Sequence, residues 1–239
     1  MGWQDLVDSY EWKARLIPTV IVLLPGFVTT YFLYPGIVTN PVLAAGSGLV
    51  SIAVIYLAAM LVRHLGSTYQ ESAWRAWGGP PSTRYLRMRD SFFSDDQKYR
   101  LQVALTERFG VRLVSRESEA KNPDLADKTI MDAFKEVKEF LRKSGEASLV
   151  DKHNAEYGFT RNLCGSRWVF AALAITGFLL CGFTTTERAW DLTPGASVNL
   201  ILLVIWVPLA WFVLPGMLKR NAETYAERAW LTFLARSER

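Results

Sequence analysis

Hydrophobic residues are bunched into three long blocks instead of recurring at the spacing of a soluble helix or strand. No Asp, Glu, Lys or Arg occurs at 16–62, 168–186 or 192–218. A membrane-spanning helix needs roughly 20 mostly apolar residues to cross about 30 Å of hydrocarbon. The first block, with 47 residues, is long enough for two spans, and each of the others for one. We therefore predict an all-α membrane protein with four transmembrane helices, at 16–34, 43–62, 168–186 and 198–218.

A short turn divides the first block. Tyr34-Pro35-Gly36 is followed by Thr39-Asn40-Pro41, and Pro and Gly at this density interrupt helices while Asn-Pro favours a turn. A cleaved signal peptide is the alternative for the first span. Its apolar run is long, however, and a second span follows at once without a convincing cleavage site. We therefore expect a membrane hairpin.

The distribution of basic residues predicts the orientation of the spans, because Lys and Arg accumulate in cytoplasmic loops. Of the 27 basic residues, two precede residue 16, nineteen lie at 63–167 and five follow residue 218, against only Arg188 in the opposite loops. Topology thus accounts for the net charge of +4 without a nucleic acid. The predicted layout is a cytoplasmic tail (1–15), two spans (16–62), a cytoplasmic domain (63–167), two spans (168–218) and a cytoplasmic tail (219–239).

Apolar spacing and capping signals predict that the cytoplasmic domain is mostly helical. Ser94-Asp95-Asp96-Gln97 has the form of a capping box, which marks a helix start. About 100 residues with few large apolar groups make a modest core, which is compatible with an oligomer that shares its core between copies and also with monomeric helical packing. The expected elements are an extension of the second span to the Gly78-Gly79-Pro80-Pro81 run, a helix from Ser94 to Gly110, a candidate strand at 111–114, a loop at 115–123, a helix at 124–143 closed by Gly145, and a helix near 148–162.

Motifs of the common enzyme classes are missing from the chain. No G-x-S-x-G, HExxH, P-loop or GxGxxG pattern occurs, and the two histidines have no metal-site spacing. Asp95 and Asp96 can in principle hold Mg²⁺, but capping of the helix explains them better. Cys164 and Cys181 are too far apart on one predicted helix to pair, so we expect free thiols. We predict no enzyme activity, no cofactor and no metal site.

The spans contain no Asp, Glu, Lys or Arg, which argues against a proton-coupled carrier. A passive pore is compatible with this composition, because Ser, Thr and Asn can line one. The same residue types also serve helix–helix packing, so both interpretations stay open. The pore-lining candidates are Thr29, Thr30, Ser47, Ser51 and Asn199.

The most distinctive run is W-R-A-W-G-G-P-P-S-T-R-Y-L-R-M-R-D at 74–90, where four arginines and three aromatic residues surround a rigid turn. Guanidinium groups bind phosphates and aromatic rings stack on bases, so the run is a candidate nucleotide or single-stranded oligonucleotide site. The alternative is that its arginines contact anionic lipid headgroups or pair with nearby aspartates. The candidate oligonucleotide-binding residues are Arg84, Tyr85, Arg87, Arg89 and Arg100.

A second compact motif, N-A-E-Y-G-F-T-R-N-L-C-G at 154–165, joins the cytoplasmic domain to the third span. One interpretation is a gating linker that includes Tyr157, Arg161 and Asn162. The other is a structural collar, in which Asn and Arg cap helix ends near the lipid headgroups.

The two motifs, W-G-G-P-P-S-T-R-Y-L-R at 77–87 and N-x-x-Y-G-F-x-R-N-L-x-G at 154–165, resemble a family of bacterial four-span proteins. The layout is similar to that of membrane effectors encoded beside nucleotidyltransferases in anti-phage defence, in particular the Hailong effectors. The resemblance implies a homo-oligomeric inner-membrane channel, taken here as a tetramer, whose cytoplasmic crown binds a DNA oligomer and stays shut until that signal is lost. It transfers no DNA contact to individual residues. The alternative is a non-conducting scaffold or sensor that recruits a soluble defence partner through the 124–143 helix.

Overall fold

A computed structural model of the chain describes residues 12–144, 147–183 and 192–238, and all regular secondary structure in these ranges is helical. The all-α prediction is confirmed for this part of the chain. π-helical turns at Trp12–Leu16 and Leu209–Val213 precede the first and last helices. The helices are α1 (Ile17–Leu33), α2 (Gly36–Thr39), α3 (Pro41–Ala76), α4 (Pro81–Arg84), α5 (Asp95–Phe109), α6 (Arg116–Lys121), α7 (Pro123–Lys143), α8 (Ala147–Gly165), α9 (Arg167–Phe183), α10 (Pro194–Pro208) and α11 (Leu214–Ser237).

Three helical stretches are long and apolar enough to cross a membrane: Trp12–Leu33, the part of α3 from Gly46 onward, and Pro194–Ser237. A fourth arises if Val150–Gly165 and Arg167–Gly182, whose axes differ by 51°, count as one bent span. The length and composition of these helices indicate a membrane protein. The last residues of the predicted third span, 184–186, lie outside the described ranges.

The chain divides into two compact units. The first contains the chain up to Gln70 together with Ala155–Leu218, and the second contains Glu71–Asn154 together with the residues from Lys219 onward. Helices α3, α8 and α11 each contribute residues to both units. The second unit therefore starts and ends inside helices and is not bounded by loops, and it includes the segment that the sequence assigns to a C-terminal tail.

In the first unit, α9 packs against α1 and α10. The Phe170 ring stacks on that of Trp206 with centroids 4.2 Å apart, and Trp206 Nε1 donates a hydrogen bond to the Arg167 carbonyl at 3.0 Å. Small residues allow the helices to approach, since a methyl group on Gly195 would lie 2.8 Å from Cys181 Sγ. Cys164 and Cys181 are both buried free thiols, as predicted.

The core of the second unit is closed by the C-terminal part of α11. Trp230 and Phe233 are fully buried among apolar side chains of α5 and α7. Phe233 stacks on Phe109 with centroids 5.5 Å apart, and Phe134 of α7 lies 5.1 Å from the Trp230 ring. Trp230 Nε1 donates to the Ser82 carbonyl at 2.9 Å, so the one polar atom of this ring is satisfied. Residues beyond 218 are thus a core element.

Capping signals in the sequence mark the true ends of α5. Ser94 Oγ accepts a hydrogen bond from the Gln97 backbone N–H at 3.2 Å, and Gly110 ends the helix in the left-handed conformation with φ of 67°. The predicted loop at 115–123 is wrong, because α6 forms there. Ser115 Oγ accepts from the Ser118 N–H at 3.3 Å and caps this short polar helix, which has no apolar periodicity to reveal it.

Two other local predictions have different outcomes. The candidate strand at 111–114 is wrong, since these residues are irregular backbone and no strand occurs in the described ranges to pair with it. The helix predicted at 124–143 is confirmed as α7, which starts one residue earlier at Pro123. Gly145, expected to close that helix, lies outside the described residues.

Candidate functional site

The W-G-G-P-P run forms a tight turn between α3 and α4 in the second unit. Gly78 and Gly79 have φ values of 77° and 120°, which side-chain-bearing residues rarely adopt. The Gly79 N–H donates to the Trp74 carbonyl at 2.7 Å and closes the end of α3. Pro81 begins α4, where the missing N–H has no helical partner to lose. The motif therefore has a structural role in reversing the chain.

Arg87 holds this turn against α7. Its Nε and Nη2 donate to the two carboxylate oxygens of Asp127 at 2.7 and 2.6 Å, and its Nη1 donates to the Gly78 carbonyl at 2.7 Å. The Arg87 side chain is only 11 % exposed. A methyl group on Gly79 would lie 2.7 Å from Arg87 Nη2, so glycine also makes room for the guanidinium. Arg87 is thus occupied by its own chain.

The other three candidate arginines also lie beside carboxylates of the chain. Arg84 Nε lies 3.8 Å from Asp90 Oδ2, and Arg100 donates through Nε to Glu238 Oε1 at 2.9 Å. The Arg89 side chain is 60 % exposed, and its Nε lies 3.7 Å from the buried carboxylate of Glu119. The Arg100–Glu238 pair is exposed on both sides, and exposed pairs stabilise a protein by about 0–1 kcal/mol. Arg89 is the exposed partner of its pair, whereas the Arg84 and Asp90 side chains are only 25 % and 18 % exposed.

Tyr85 is placed differently from what a base-stacking role requires. The residue is 1 % exposed, and its ring lies parallel to Phe92 with centroids 3.7 Å apart. Its hydroxyl has no hydrogen-bond partner in the described part of the chain. Burial, and then the nearby Glu223 carboxylate, raise the pKa of Tyr85 above its ordinary range. Phe92, 46 % exposed, is the ring of this stack that solvent reaches.

A cleft of about 440 Å³ adjoins the exposed arginines of the second unit. Arg89 and Arg116 line it together with Asp90 and Asp95, so its charge is mixed. Lys98, which the sequence presents as an ordinary surface charge, is only 2 % exposed, and its ammonium group donates to the Asp90 carbonyl. The buried lysine therefore holds the Asp90 carbonyl and is not accessible to a ligand.

In the second motif, Asn162 is a buried link between α8 and the π-helical turn that precedes α1. Its Nδ2 donates to the Ala14 carbonyl at 2.6 Å, and it is fully buried. In an unbroken α-helix the Ala14 carbonyl would accept from residue 18, which is Pro18 and has no N–H. The Asn162 amide supplies the donor that the proline removes.

Close helix packing explains the glycines around Asn162. A methyl group on Gly66 of α3 would overlap the Asn162 side chain, and one on Gly165 would lie 2.5 Å from the Gly66 nitrogen. Arg161 Nη1 donates to Gln70 Oε1 at 3.2 Å, and Tyr157 is buried. The motif is therefore a packed junction of α1, α3 and α8, an arrangement that the collar interpretation requires and that a gating linker can also use.

The pore-lining candidates fall into two groups. Asn199 Nδ2 donates to Thr29 Oγ1 at 3.2 Å, and both residues are buried between α1 and α10 of one chain. A methyl group on Gly177 of α9 would lie 2.8 Å from the Asn199 amide, so three helices meet at this polar contact. Thr30 is exposed, with its hydroxyl bonded to the Gly26 carbonyl at 2.9 Å, while Ser47 and Ser51 are half-buried. The side chains of Thr30, Ser47 and Ser51 therefore lie at the surface of the first unit.

Sequence reasoning missed Phe92 and Arg116, because neither lies in the W-G-G-P-P motif. Phe92 follows Asp90 in a short irregular stretch, and the exposure of its ring depends on the burial of Tyr85 beneath it. Within the described ranges, no group of three or more His, Cys, Asp or Glu side chains is placed to hold a metal ion. Comparison with known protein families, with curated proteins and with solved structures gives no match for this chain.

Proposed function

We propose that the chain is the subunit of an oligomeric ion channel in the bacterial inner membrane, with both termini and the second unit in the cytoplasm. A nucleotide or single-stranded DNA oligomer made by a partner nucleotidyltransferase binds the second unit and gates the pore in anti-phage defence. The channel is a homo-oligomer, taken as a tetramer. The proposal rests on the motif resemblance and on the surface of the second span.

The apolar part of α3 carries the proposal, because its own chain covers so little of it. The described residues bury only 12 % of its apolar stretch, against 28 % for the span at Trp12–Leu33. Among the residues that the structure describes, none lies within 4 Å of a methyl group placed on Gly46 or Gly48. Small residues allow close approach of helices in membranes. The exposed large side chains of this span are Val50, Ile52, Val54, Tyr56, Leu57, Met60 and Leu61.

Spans without charged groups suit passive conduction, since conduction needs a polar or dewettable lining and no bound proton. Thr30, Ser47 and Ser51 are the candidates that remain at the bundle surface, where other copies can approach. Thr29 and Asn199 instead hold the helices of one subunit together.

The ligand site of this proposal is the exposed basic edge of the second unit. Arg89 and Arg116 have side chains that are 60 % and 72 % exposed, and Phe92 offers a ring for stacking. Each stacked base contributes about 1–3 kcal/mol of binding free energy. The W-G-G-P-P turn keeps this edge in place through Arg87. Binding is proposed to reach the spans through Tyr157, Arg161 and Asn162.

Ion flux through liposomes that contain the purified protein tests the proposal. Flux is measured with and without a mixed-sequence single-stranded DNA oligomer, for the unmodified protein, the Arg89→Ala/Arg116→Ala variant and Arg112→Gln. Arg112→Gln is the matched control, because it removes an exposed guanidinium outside the proposed site. We expect flux that the oligomer changes at least about tenfold, an effect lost only in the double variant, since each lost phosphate contact weakens binding. Absence of flux in both conditions refutes the channel, and an unchanged oligomer effect in the double variant refutes the site.

A non-conducting scaffold is the second candidate, and exposed apolar residues on α7 favour it. Leu125 and Met131 are 53 % and 43 % exposed on a helix whose other surface residues are mostly charged. A soluble partner docked on this helix would cover them. A partner protein that co-purifies in a fixed ratio, combined with silence in the flux assay, would select this function over the channel.

A further inference from the structure

Arg161 and Arg167 of the first unit have only neutral contacts. Arg161 donates through Nη1 to Gln70 Oε1 at 3.2 Å and through Nε to Asn162 Oδ1 at 3.3 Å. The Arg167 guanidinium carbon lies 5.2 Å from the ring centre of Tyr69 and 5.1 Å from that of Trp211. No ion pair within residues 12–144, 147–183 and 192–238 includes either arginine. Both side chains are half-buried, and no carboxylate of the described ranges pairs with either of them.

The two guanidinium groups meet the same turn of α3, because Tyr69 and Gln70 are consecutive. On one straight α-helix, residues six positions apart point in directions about 120° apart around the axis. Here α8 ends at Gly165 and α9 begins at Arg167, with their axes bent by 51°. This break is what allows both side chains to turn toward α3. The bare backbone of Gly165 against Gly66 holds the two helices at that distance.

The pair lies where the uncharged runs end. Arg167 directly precedes the uncharged run at 168–186, and Tyr69 lies seven residues beyond the run that ends at Val62. Trp168 is 66 % exposed and packs edge-on against Trp211 with ring centres 4.8 Å apart. Tryptophan collects at the level of lipid headgroups. In the proposed membrane orientation, the arginines lie near the boundary between water and hydrocarbon.

We propose that Arg161 and Arg167 bind the phosphate group of an anionic phospholipid at this boundary. Guanidinium groups bind phosphate oxygens through paired N–H donors. The rings of Tyr69 and Trp211 lie beside the Arg167 guanidinium. Arg167 also hydrogen-bonds to Tyr69, and its other N–H donors are the ones that the phosphate would take. A half-buried charge without a countercharge gains most from an anion, because its water shell is already partly removed. The bound lipid would clamp α3 to the bend between α8 and α9.

Lipid retention measured by native mass spectrometry tests this site. The purified protein is exchanged into detergent that contains either phosphatidylglycerol or phosphatidylcholine, and bound lipids are counted. We expect preferential retention of phosphatidylglycerol. Each basic residue near an anionic membrane contributes a factor of about five, so Arg161→Gln/Arg167→Gln weakens this retention about 25-fold. Arg112→Gln, which removes an exposed guanidinium of the second unit, leaves it unchanged.

Equal retention of the two lipids by the unmodified protein overturns the proposal and needs no variant. The proposal is also overturned if inorganic phosphate and phosphatidylglycerol, at the same concentration, raise the Tm equally, because the site then binds free phosphate. If the double variant does not fold, Arg161→Lys/Arg167→Lys replaces it. This variant keeps both charges and loses the forked donors, so we expect a loss of less than about 25-fold that still exceeds that of Arg112→Gln. Unchanged retention in the variant that folds refutes the assignment.

Discussion

Replacing Arg87 with Ala removes the ion pair that fastens the W-G-G-P-P turn to α7. Three donors of the guanidinium are used within the chain, two on the Asp127 carboxylate and one on the Gly78 carbonyl. The side chains of Arg87 and Asp127 are 11 % and 28 % exposed. Solvent therefore screens this pair less than a surface pair, but more than one in a sealed core.

The expected loss of stability follows from that intermediate exposure. Breaking a fully buried pair costs about 3–5 kcal/mol and breaking an exposed one about 0–1 kcal/mol. We place Arg87→Ala at about 2–3 kcal/mol. In a chain of this size each kcal/mol shifts the melting temperature by about 2–4 °C, so the Tm falls by about 4–12 °C.

Thermal unfolding of the detergent-solubilised protein measures this in a double-mutant cycle with Arg87→Ala, Asp127→Ala and the two combined. The coupling free energy should be about 1.5–3 kcal/mol, as for hydrogen bonds to charged groups. Arg89→Ala is the control, because its 60 % exposed side chain lies 3.7 Å from Glu119, and it should cost less than about 1 kcal/mol. A coupling below about 0.5 kcal/mol, the usual error of additivity, refutes the fastening role of Arg87.

Two further predictions concern the second unit. Trp230→Ala should lower the free energy of unfolding by about 3–5 kcal/mol, because it opens a cavity in the core, and tryptic cleavage within 84–143 should become faster. Trp168→Ala, at a 66 % exposed ring, should leave the rate of cleavage unchanged. Equal effects of the two variants would contradict the core role of α11. Tyr85→Phe should stabilise the protein by about 1–3 kcal/mol, because it removes a buried hydroxyl without a partner. Burial and the Glu223 carboxylate raise the pKa of Tyr85 above its ordinary value of 10.0, so the folded chain keeps a proton that the unfolded chain loses. The unmodified protein therefore keeps its full stability below pH 10.0 and loses stability as the pH rises beyond that value. Between about pH 8 and about pH 10.5, the Tm should fall less in Tyr85→Phe than in the unmodified protein.

The apolar spans and the helix caps were predictable because each depends on neighbours in sequence. An uncharged run at 16–62 excludes most soluble folds whatever surrounds it. Ser94 and Gly110 mark the two ends of α5, since a cap satisfies backbone groups within one turn of itself. The structure contains both the long apolar helices and the two caps of α5.

The composition of the second unit was not predictable in the same way. Lys219, Arg220 and Glu223 give the last segment the appearance of a charged tail. The apolar positions of the same helix recur at three- and four-residue intervals and are buried on one side, which is the pattern of an amphipathic core helix. Charged residues at the start of the segment hide this periodicity in the sequence, and only the tertiary packing shows which side chains the apolar face contacts. The buried residues of this stretch are Ala222, Ala226, Ala229, Trp230, Phe233 and Leu234.

The arginines of the 84–89 segment look alike in sequence, yet they make different contacts in the structure. Asp127 lies 40 residues from Arg87, so no local pattern distinguishes the fastened arginine from its neighbours. A polyanion that took Arg87 would have to break a pair worth about 2–3 kcal/mol, more than one phosphate contact returns in salt solution. Arg89 requires only the loss of a 3.7 Å contact with Glu119. Glu119 Oε2 also accepts a hydrogen bond from the Met88 N–H at 2.6 Å. Loss of the Arg89–Glu119 contact therefore leaves this backbone hydrogen bond in place. If the proposed ligand binds at this edge, the exposed arginines are therefore the ones available to it, and Arg87 stays paired with Asp127.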